Sequence, residues 1–255
     1  VLRHVPHEHG IPGLDKDTRG LVPLPTVETR GLVFVTQGAP RPGATPLDDL
    51  PPLLSPGRVL VQSTEQELPV NWKVFVESFL EGYHIRSTHR TTFYPVQLDN
   101  LNVVERFGEN SRVTFPYRAL HKLRPLPPSE RAVEGKLTYV YHLFPNVMLA
   151  TFPHFVFMVA IEPLAIDRTR FHTWITAPAP AADGASASPR VRTTSAEGAA
   201  LIAGAALEDN AATIAVQEGL ASGANAFLEF GRFEGAIGHF HRNLRAALAA
   251  RGTPP

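Results

Sequence analysis

Residues 71 to 89 read Asn-Trp-Lys-Val-Phe-Val-Glu-Ser-Phe-Leu-Glu-Gly-Tyr-His-Ile-Arg-Ser-Thr-His. This stretch predicts an apolar helix with Asn71 as its N-cap, because asparagine side chains accept backbone N–H groups at helix starts. On that helix Glu77, Glu81 and His84 follow one face at i, i+4 and i+7, with His89 just beyond. Burying such groups together costs several kcal/mol unless a metal or hydrogen bonds compensate. The stretch is therefore a candidate functional site.

The spacing of the two histidines predicts an irregular helix end. His84 and His89 lie five positions apart, which places them about 140° apart on an ideal helix. A regular helix cannot aim both side chains at one atom. Ser87 and Thr88 are weaker helix formers than alanine or leucine, so we expect the helix to end or distort there and to bring His89 back toward His84.

A metal held by these histidines needs a third ligand. A carboxylate would complete the two-histidine, one-carboxylate set that holds Fe(II) with open positions. The best remote candidates are Glu208 and Asp209, an acidic pair among the small apolar residues of a predicted helix at 195–220. Two alternatives stay open, because histidines at a helix end also bond to backbone carbonyls and because the same residues permit a zinc site.

The rest of the chain predicts an α+β domain with a curved antiparallel sheet. Runs of β-branched and aromatic residues are separated by Gly, Pro, Asn and Asp. A second helix is expected at 195–220 and a last one at 237–251. Shorter β-like runs occur at 20–23 and 31–36. The predicted strands of the main sheet are Val59–Thr64, Val103–Phe107, Arg112–Tyr117, Leu137–Phe144, Val147–Phe152, Phe155–Glu162 and Arg170–Ala177.

Composition limits the classes of function. The chain has 255 residues, 44% of them hydrophobic, and its 24 basic and 24 acidic residues cancel, so neither a nucleic-acid nor an acidic-lipid partner is indicated. No stretch approaches the roughly 20 apolar residues of a membrane span, and a cytoplasmic location is expected. The absence of cysteine excludes disulfides and thiolate-ligated clusters within these residues. Because the chain starts with Val1, we expect it to begin inside a longer gene product.

The 71–89 stretch resembles the signature of Rieske-type non-haem iron oxygenases, the ring-hydroxylating oxygenase alpha subunits. Their catalytic domain carries an acid, three residues, an acid, two residues, a histidine, four residues and a histidine. Asn-Trp-Lys at the helix start also fits the family. The segment 141–146 resembles a strand beside the family's pocket, and the segment 208–220 resembles its distal ligand region. The likeness covers about residues 55–250.

The resemblance implies roles for the candidate residues. His84, His89 and Asp209 would bind a mononuclear Fe(II), with Glu208 as the less favoured third ligand. Glu81 would be the bridging acid, linking His84 to a histidine of a Rieske cluster on the neighbouring subunit. An acid one turn before His84 can also accept its free ring N–H and fix the tautomer.

Two departures from the family pattern affect what this chain can do. Many members have asparagine where this chain has Ser78, a shorter side chain with different hydrogen bonding. The family's Rieske [2Fe-2S] cluster needs two cysteines and two histidines, so this chain cannot bind it. We therefore expect residues 1–50 to be the C-terminal remnant of a Rieske domain with its linker, and residues 51–255 to be the catalytic domain.

Taken together, the resemblance implies a helix-grip (START/Bet v1-like) α+β domain with a small β remnant at its N-terminus. Its activity would be that of a mono- or dioxygenase, which uses O₂ and electrons from NAD(P)H to hydroxylate or dealkylate an aromatic or other small organic substrate. The expected partners are a reductase or ferredoxin and two further copies in a homotrimer. The alternative is a metal-free helix-grip carrier of a hydrophobic small molecule, and a zinc hydrolase is a third possibility.

Overall fold

The computed structural model describes residues 1–37, 47–179 and 189–250. They form two compact units, Val1–Leu53 and Leu54–Pro255. The first contains a two-stranded antiparallel sheet of β1 (Thr26–Thr29) and β2 (Leu32–Val35). The predicted strand at 31–36 is thus confirmed, whereas 20–23 is not a strand. The assignment of this unit to a Rieske domain stays a prediction.

The second unit is built on a seven-stranded antiparallel sheet in the order β3-β9-β8-β7-β6-β5-β4. Every strand predicted for it is present, and β3 is longer than expected because it pairs with β9 along nearly its whole length. A Pro-, Ala- and Ser-rich segment at 178–190, which the sequence predicts to be a surface loop, lies largely outside the described residues. The strands are β3 (Arg58–Leu68), β4 (Val103–Phe107), β5 (Asn110–Pro116), β6 (Leu137–Leu143), β7 (Val147–Thr151), β8 (Val156–Ala165) and β9 (Arg168–Pro178).

One face of this sheet forms the main core. Successive side chains of a strand point to opposite faces, so paired residues of neighbouring strands line the same face. Val113 pairs with Val140, and Met148 pairs with Val159, and all four are buried. Helical residues of the second unit complete this core cluster. The observed architecture is therefore α+β, as expected, while the helix-grip designation stays a prediction.

The helix predicted at residues 71–89 ends near Ser87 and Thr88 as expected, but it also has an earlier break that the sequence did not predict. Helix α1 covers Trp72–Phe79, and the Asn71 side chain caps it by accepting the Lys73 N–H at 3.1 Å, as predicted. A short helix, α2, covers His84–Ser87. The chain therefore leaves the helix before His84, and the expectation of one continuous face from Glu77 to His84 is wrong.

Local chemistry explains this early break. The Glu81 carboxylate accepts the backbone N–H of Tyr83 and, at 3.3 Å, that of His84, so it competes with the helix for these donors. Gly82 lies against Phe115 of β5, where an added Cβ would come within 3.1 Å of the ring. Glycine also costs about 1 kcal/mol in a helix relative to alanine.

Two further helices complete the second unit. Helix α3 (Pro189–Ala221) contacts α1 and β3, and α4 (Gly235–Ala250) contacts β5. The α3 segment Glu197–Ala221 is long and apolar enough to cross a membrane by length and composition. The expectation that no stretch of the chain approaches a membrane span is therefore wrong. In the structure, helix α3 carries Glu208 and Asp209, which both contact His89.

A buried histidine, His142 of β6, packs against Phe240 of α4. Its ring is fully buried and lies edge-on to Phe240 at 5.2 Å. Nε2–H donates to the Pro145 carbonyl at 3.0 Å, while Nδ1 has no partner among the described residues. Burial, together with the nearby His239, lowers the pKa of His142 from 6.5 to about 4, despite the opposing hydrogen bond to Pro145.

This pKa predicts acid sensitivity. Because the folded-state pKa is depressed, the unfolded chain binds the proton more tightly, and the contribution of His142 is present above pH 6.5 and lost toward pH 4. We expect the free energy of unfolding to fall by about 2 kcal/mol more between pH 7 and pH 4.5 in the wild type than in His142→Gln. Denaturant titrations at both pH values measure this difference. Identical pH dependence in the two proteins would contradict it.

Candidate metal centre

Helix α2 and helix α3 bring two imidazoles and one carboxylate together. Nε2 of His89 lies 3.0 Å from Oδ1 of Asp209, and Nε2 of His84 lies 3.8 Å from the same oxygen. The two rings are 5.0 Å apart between centroids. One ligand atom from each residue lies within 4.8 Å of the other two. Residues remote in sequence thus converge on a single point.

The opposite nitrogen of each ring is bound to a glutamate. Nδ1 of His84 contacts Oε1 of Glu81, and Nδ1 of His89 lies 2.8 Å from Oε2 of Glu208. A carboxylate on Nδ1 holds the proton there and leaves Nε2 with a free lone pair. Both rings therefore direct Nε2 toward Asp209 in the same tautomer.

Two threonine hydroxyls hold Glu208 in addition to His89. Its Oε2 accepts the Thr92 hydroxyl at 2.7 Å, and its Oε1 accepts that of Thr91 at 3.4 Å. These threonines lie two and three positions after His89, and the sequence pattern did not identify them. The sequence did contain a signal for them, because hydroxyl groups near a candidate metal ligand can hydrogen-bond a carboxylate that orients this ligand.

The electrostatics of the cluster are strongly coupled. Burial lowers the pKa of His89, but hydrogen bonds and charges from Asp209 and Glu208 outweigh it and raise that pKa above its usual value. Burial raises the pKa of Glu208, yet hydrogen bonds from His89 and Thr92 bring it below its usual value. The site is thus arranged to hold positive charge between its carboxylates.

Two residues of the signature do not join the cluster. Oε1 of Glu77 binds Nε2 of His241 at 2.8 Å, so this carboxylate faces helix α4 instead. The hydroxyl of Ser78 donates to the Phe75 carbonyl at 2.8 Å within its own helix. Glu81, His84, His89 and Asp209 are brought together as the sequence suggested, and Glu77 is not.

The cluster opens into a cavity of about 480 Å³. Phe93 forms part of its wall and lies edge-on to the His89 ring at 4.9 Å. The remaining wall is mostly apolar, and pockets of this size and character bind small molecules. The aromatic residues of its lining are Phe75, Phe79, Phe93, Phe115, Phe152, Phe157 and Phe171.

The donor set suits a divalent metal. Two neutral imidazole nitrogens and one carboxylate oxygen on one side of a point leave positions open on the other, which is the arrangement of non-haem Fe(II) sites. His89 is only 2% exposed, and a buried ligand whose Nδ1 is already hydrogen-bonded is well oriented for metal binding. The residues present therefore fit a mononuclear metal ion.

Solved structures share the fold. The quaternary ammonium Rieske monooxygenase CntA aligns with 97% of this chain at 17% identity and a TM-score of 0.68. This chain spans 66% of the CntA chain, slightly less than two thirds. Naphthalene 1,2-dioxygenase from Rhodococcus sp. covers 98% of this chain at 14% identity, with a TM-score of 0.70 and 72% of its own length aligned.

A third structure agrees. The terminal oxygenase of carbazole 1,9a-dioxygenase from Nocardioides aromaticivorans IC177 covers 95% of this chain and 71% of its own, at 20% identity and a TM-score of 0.55. No curated protein matches the sequence. The model of the family described as ring hydroxylating alpha subunit (catalytic domain) matches residues 59–250. The chain therefore belongs to the ring-hydroxylating alpha subunit family and contains its catalytic domain.

Proposed function

We propose that this chain is the catalytic domain of a Rieske-type non-haem iron oxygenase. A mononuclear Fe(II) would be held by Nε2 of His84, Nε2 of His89 and a carboxylate oxygen of Asp209. The observation that carries the proposal is the convergence of these three groups within 4.8 Å, each histidine being bound to a glutamate through its other nitrogen. Family membership supports the same conclusion.

Iron bound in this position would supply the activation of O₂ for the hydroxylation or dealkylation of a small organic substrate. The chain's own residues provide the rest. Glu81 and Glu208 keep Nδ1–H of the histidines hydrogen-bonded, so that Nε2 remains a donor to the metal. The apolar cavity binds the substrate and excludes water from the reacting atoms.

Glu208 serves the site as a hydrogen-bond partner in this proposal, and Asp209 is the ligand. Glu208 already contacts His89, Thr91 and Thr92, and these contacts occupy both of its oxygens. Asp209 has an oxygen near both histidines. These contacts support Asp209 over Glu208 as the proposed third ligand.

Electrons must reach the site from elsewhere, because the chain contains no cysteine with which to hold a Rieske cluster. We propose that a Rieske [2Fe-2S] cluster on a neighbouring subunit of a trimer, reduced by a reductase or ferredoxin, delivers them through Glu81. Glu81 suits this role because it contacts His84 directly and its side chain is 13% exposed.

The alternative is a metal-free carrier of hydrophobic molecules, for which the apolar cavity alone would be sufficient. A carrier has no use for two histidines whose lone pairs converge on a carboxylate. A zinc hydrolase would use the same donor set. Neither alternative is supported by the family to which the chain belongs.

The first prediction from this proposal concerns the metal ligands. His84→Ala and Asp209→Ala should each weaken Fe(II) binding at least 100-fold, because two ligands cannot complete the site. A calorimetric titration with Fe(II) under anaerobic conditions measures the Kd. The matched control is His241→Ala, which removes a histidine that also lies 2.8 Å from a glutamate and should leave the Kd unchanged. Equal Kd values in His84→Ala and the wild type would remove the ligand assignment.

The second prediction separates the adjacent acids. Glu208→Gln should weaken Fe(II) binding by about 10- to 100-fold without abolishing it, as for other residues that orient a metal-bound histidine. The same titration measures the effect, with Glu218→Gln on the exposed surface of α3 as control. If Glu208→Gln abolishes binding while Asp209→Ala preserves it, the two roles are reversed.

The third prediction concerns Glu81. In a complete oxygenase that carries the Rieske cluster, Glu81→Gln should retain iron but slow reduction of the iron site, because the amide cannot accept the proton or charge that a carboxylate can. Single-turnover experiments with a prereduced cluster measure this rate, and iron content measured beforehand is the control. An unchanged rate at full iron occupancy would count against Glu81 as the bridge.

A further inference from the structure

One wall of the cavity carries a buried carboxamide. Gln97 lines the cavity and is 4% exposed, and its Nε2 donates to Oγ1 of Thr138 at 3.3 Å. The Tyr117 hydroxyl lies 2.7 Å from the same Thr138 oxygen. Among the described residues, the carboxamide oxygen of Gln97 receives no hydrogen bond. A polar group left open to an apolar cavity is costly unless a ligand pairs with it.

The backbone holds this carboxamide firmly in place. The Gln97 N–H donates to the Phe93 carbonyl at 2.8 Å, and Gln97 forms an isolated β-bridge with Tyr117. Phe93 is the residue whose ring contacts His89. Gln97 and the candidate metal centre therefore lie on the same cavity wall, separated by Phe93.

The charges of the cavity lining disfavour an anionic ligand. No lysine or arginine lines the cavity within the described part of the chain. A carboxylate substrate would have to lose its water without a cationic side chain to compensate, which costs several kcal/mol. The ionisable residues of the lining are Glu65, Glu81, His84, His89 and Asp209.

A quaternary ammonium ligand is also a poor match. Cations bind best over tryptophan and tyrosine rings, and the described lining contains neither. Its phenylalanine rings instead pack on one another, as in the stacked pairs Phe93–Phe152 and Phe79–Phe157. Flat apolar surfaces of this kind suit a flat, uncharged ring system.

We propose that Gln97 is a specificity-determining residue, which binds a neutral hydrogen-bonding group on a flat, uncharged aromatic substrate. Thr138 and Tyr117 are positioning residues that hold the carboxamide. The inference rests on the proposed function only where it calls the ligand a substrate. Binding of the ligand by Gln97 does not depend on that function. The free carboxamide oxygen and the second N–H together match a group that both donates and accepts, such as a lactam.

Binding of four probes to the purified protein tests the proposal. Equilibrium dialysis would compare quinolin-2(1H)-one, naphthalene, 2-naphthoate and N,N,N-trimethylanilinium, with and without Fe(II). Quinolin-2(1H)-one should bind about fivefold to tenfold more tightly than naphthalene, in line with one net hydrogen bond in an apolar site. The two charged probes should bind more weakly than naphthalene.

The variants locate the effect. Gln97→Leu should remove the advantage of quinolin-2(1H)-one while keeping the affinity for naphthalene, which also reports that the cavity is intact. Thr138→Val, which removes the anchor of the carboxamide, should reduce the same advantage and provides a second test if Gln97→Leu does not fold. Preference for either charged probe, or an undiminished lactam advantage in both variants, would overturn the proposal.

The outcome is separable from that of the proposed function. Probe binding does not require iron, whereas the ligand assignments are tested by Fe(II) titration alone. Lactam preference in a protein that binds no iron would support the role of Gln97 and refute the oxygenase. Iron binding without lactam preference would refute the role of Gln97 and leave the metal centre standing.

Discussion

Two imidazoles and three carboxylates share a half-buried space between α2 and α3, and the rest of the domain depends on how they are paired. Unpaired charges there would cost several kcal/mol each. The observed pairing places Glu81 on His84 and Glu208 on His89, with Asp209 facing both rings. Each histidine is thus oriented from one side and available from the other.

Two features of the fold produce this geometry. The chain leaves α1 at Phe79 and begins α2 at His84, so that the carboxylate of Glu81 can turn back onto the imidazole. The long helix α3 then carries Glu208 and Asp209 to the other side of the rings. The antiparallel sheet, together with helical residues, lines the apolar cavity that opens onto the cluster.

Local patterns made much of the fold predictable. Asn71 at the start of α1 and the alternating strands depend on neighbouring residues, and both were found where they were expected. The additional break before His84 was not predicted because it depends in part on a tertiary contact between Gly82 and Phe115. The residues that meet at the site were predicted as a set, but their spacing alone did not divide them into roles, which came from the family resemblance. Adjacent helical residues such as Glu208 and Asp209 point about 100° apart, and the rotation of α3 decides which of them faces both histidines.

The central claim is that the three converging groups hold iron. Elemental analysis of the purified protein, after anaerobic loading with Fe(II) and removal of free metal, tests it most directly. The account predicts that the wild type retains iron and that His84→Ala and Asp209→Ala do not. A wild-type protein that retains no iron, or variants that retain as much as the wild type, would contradict the claim.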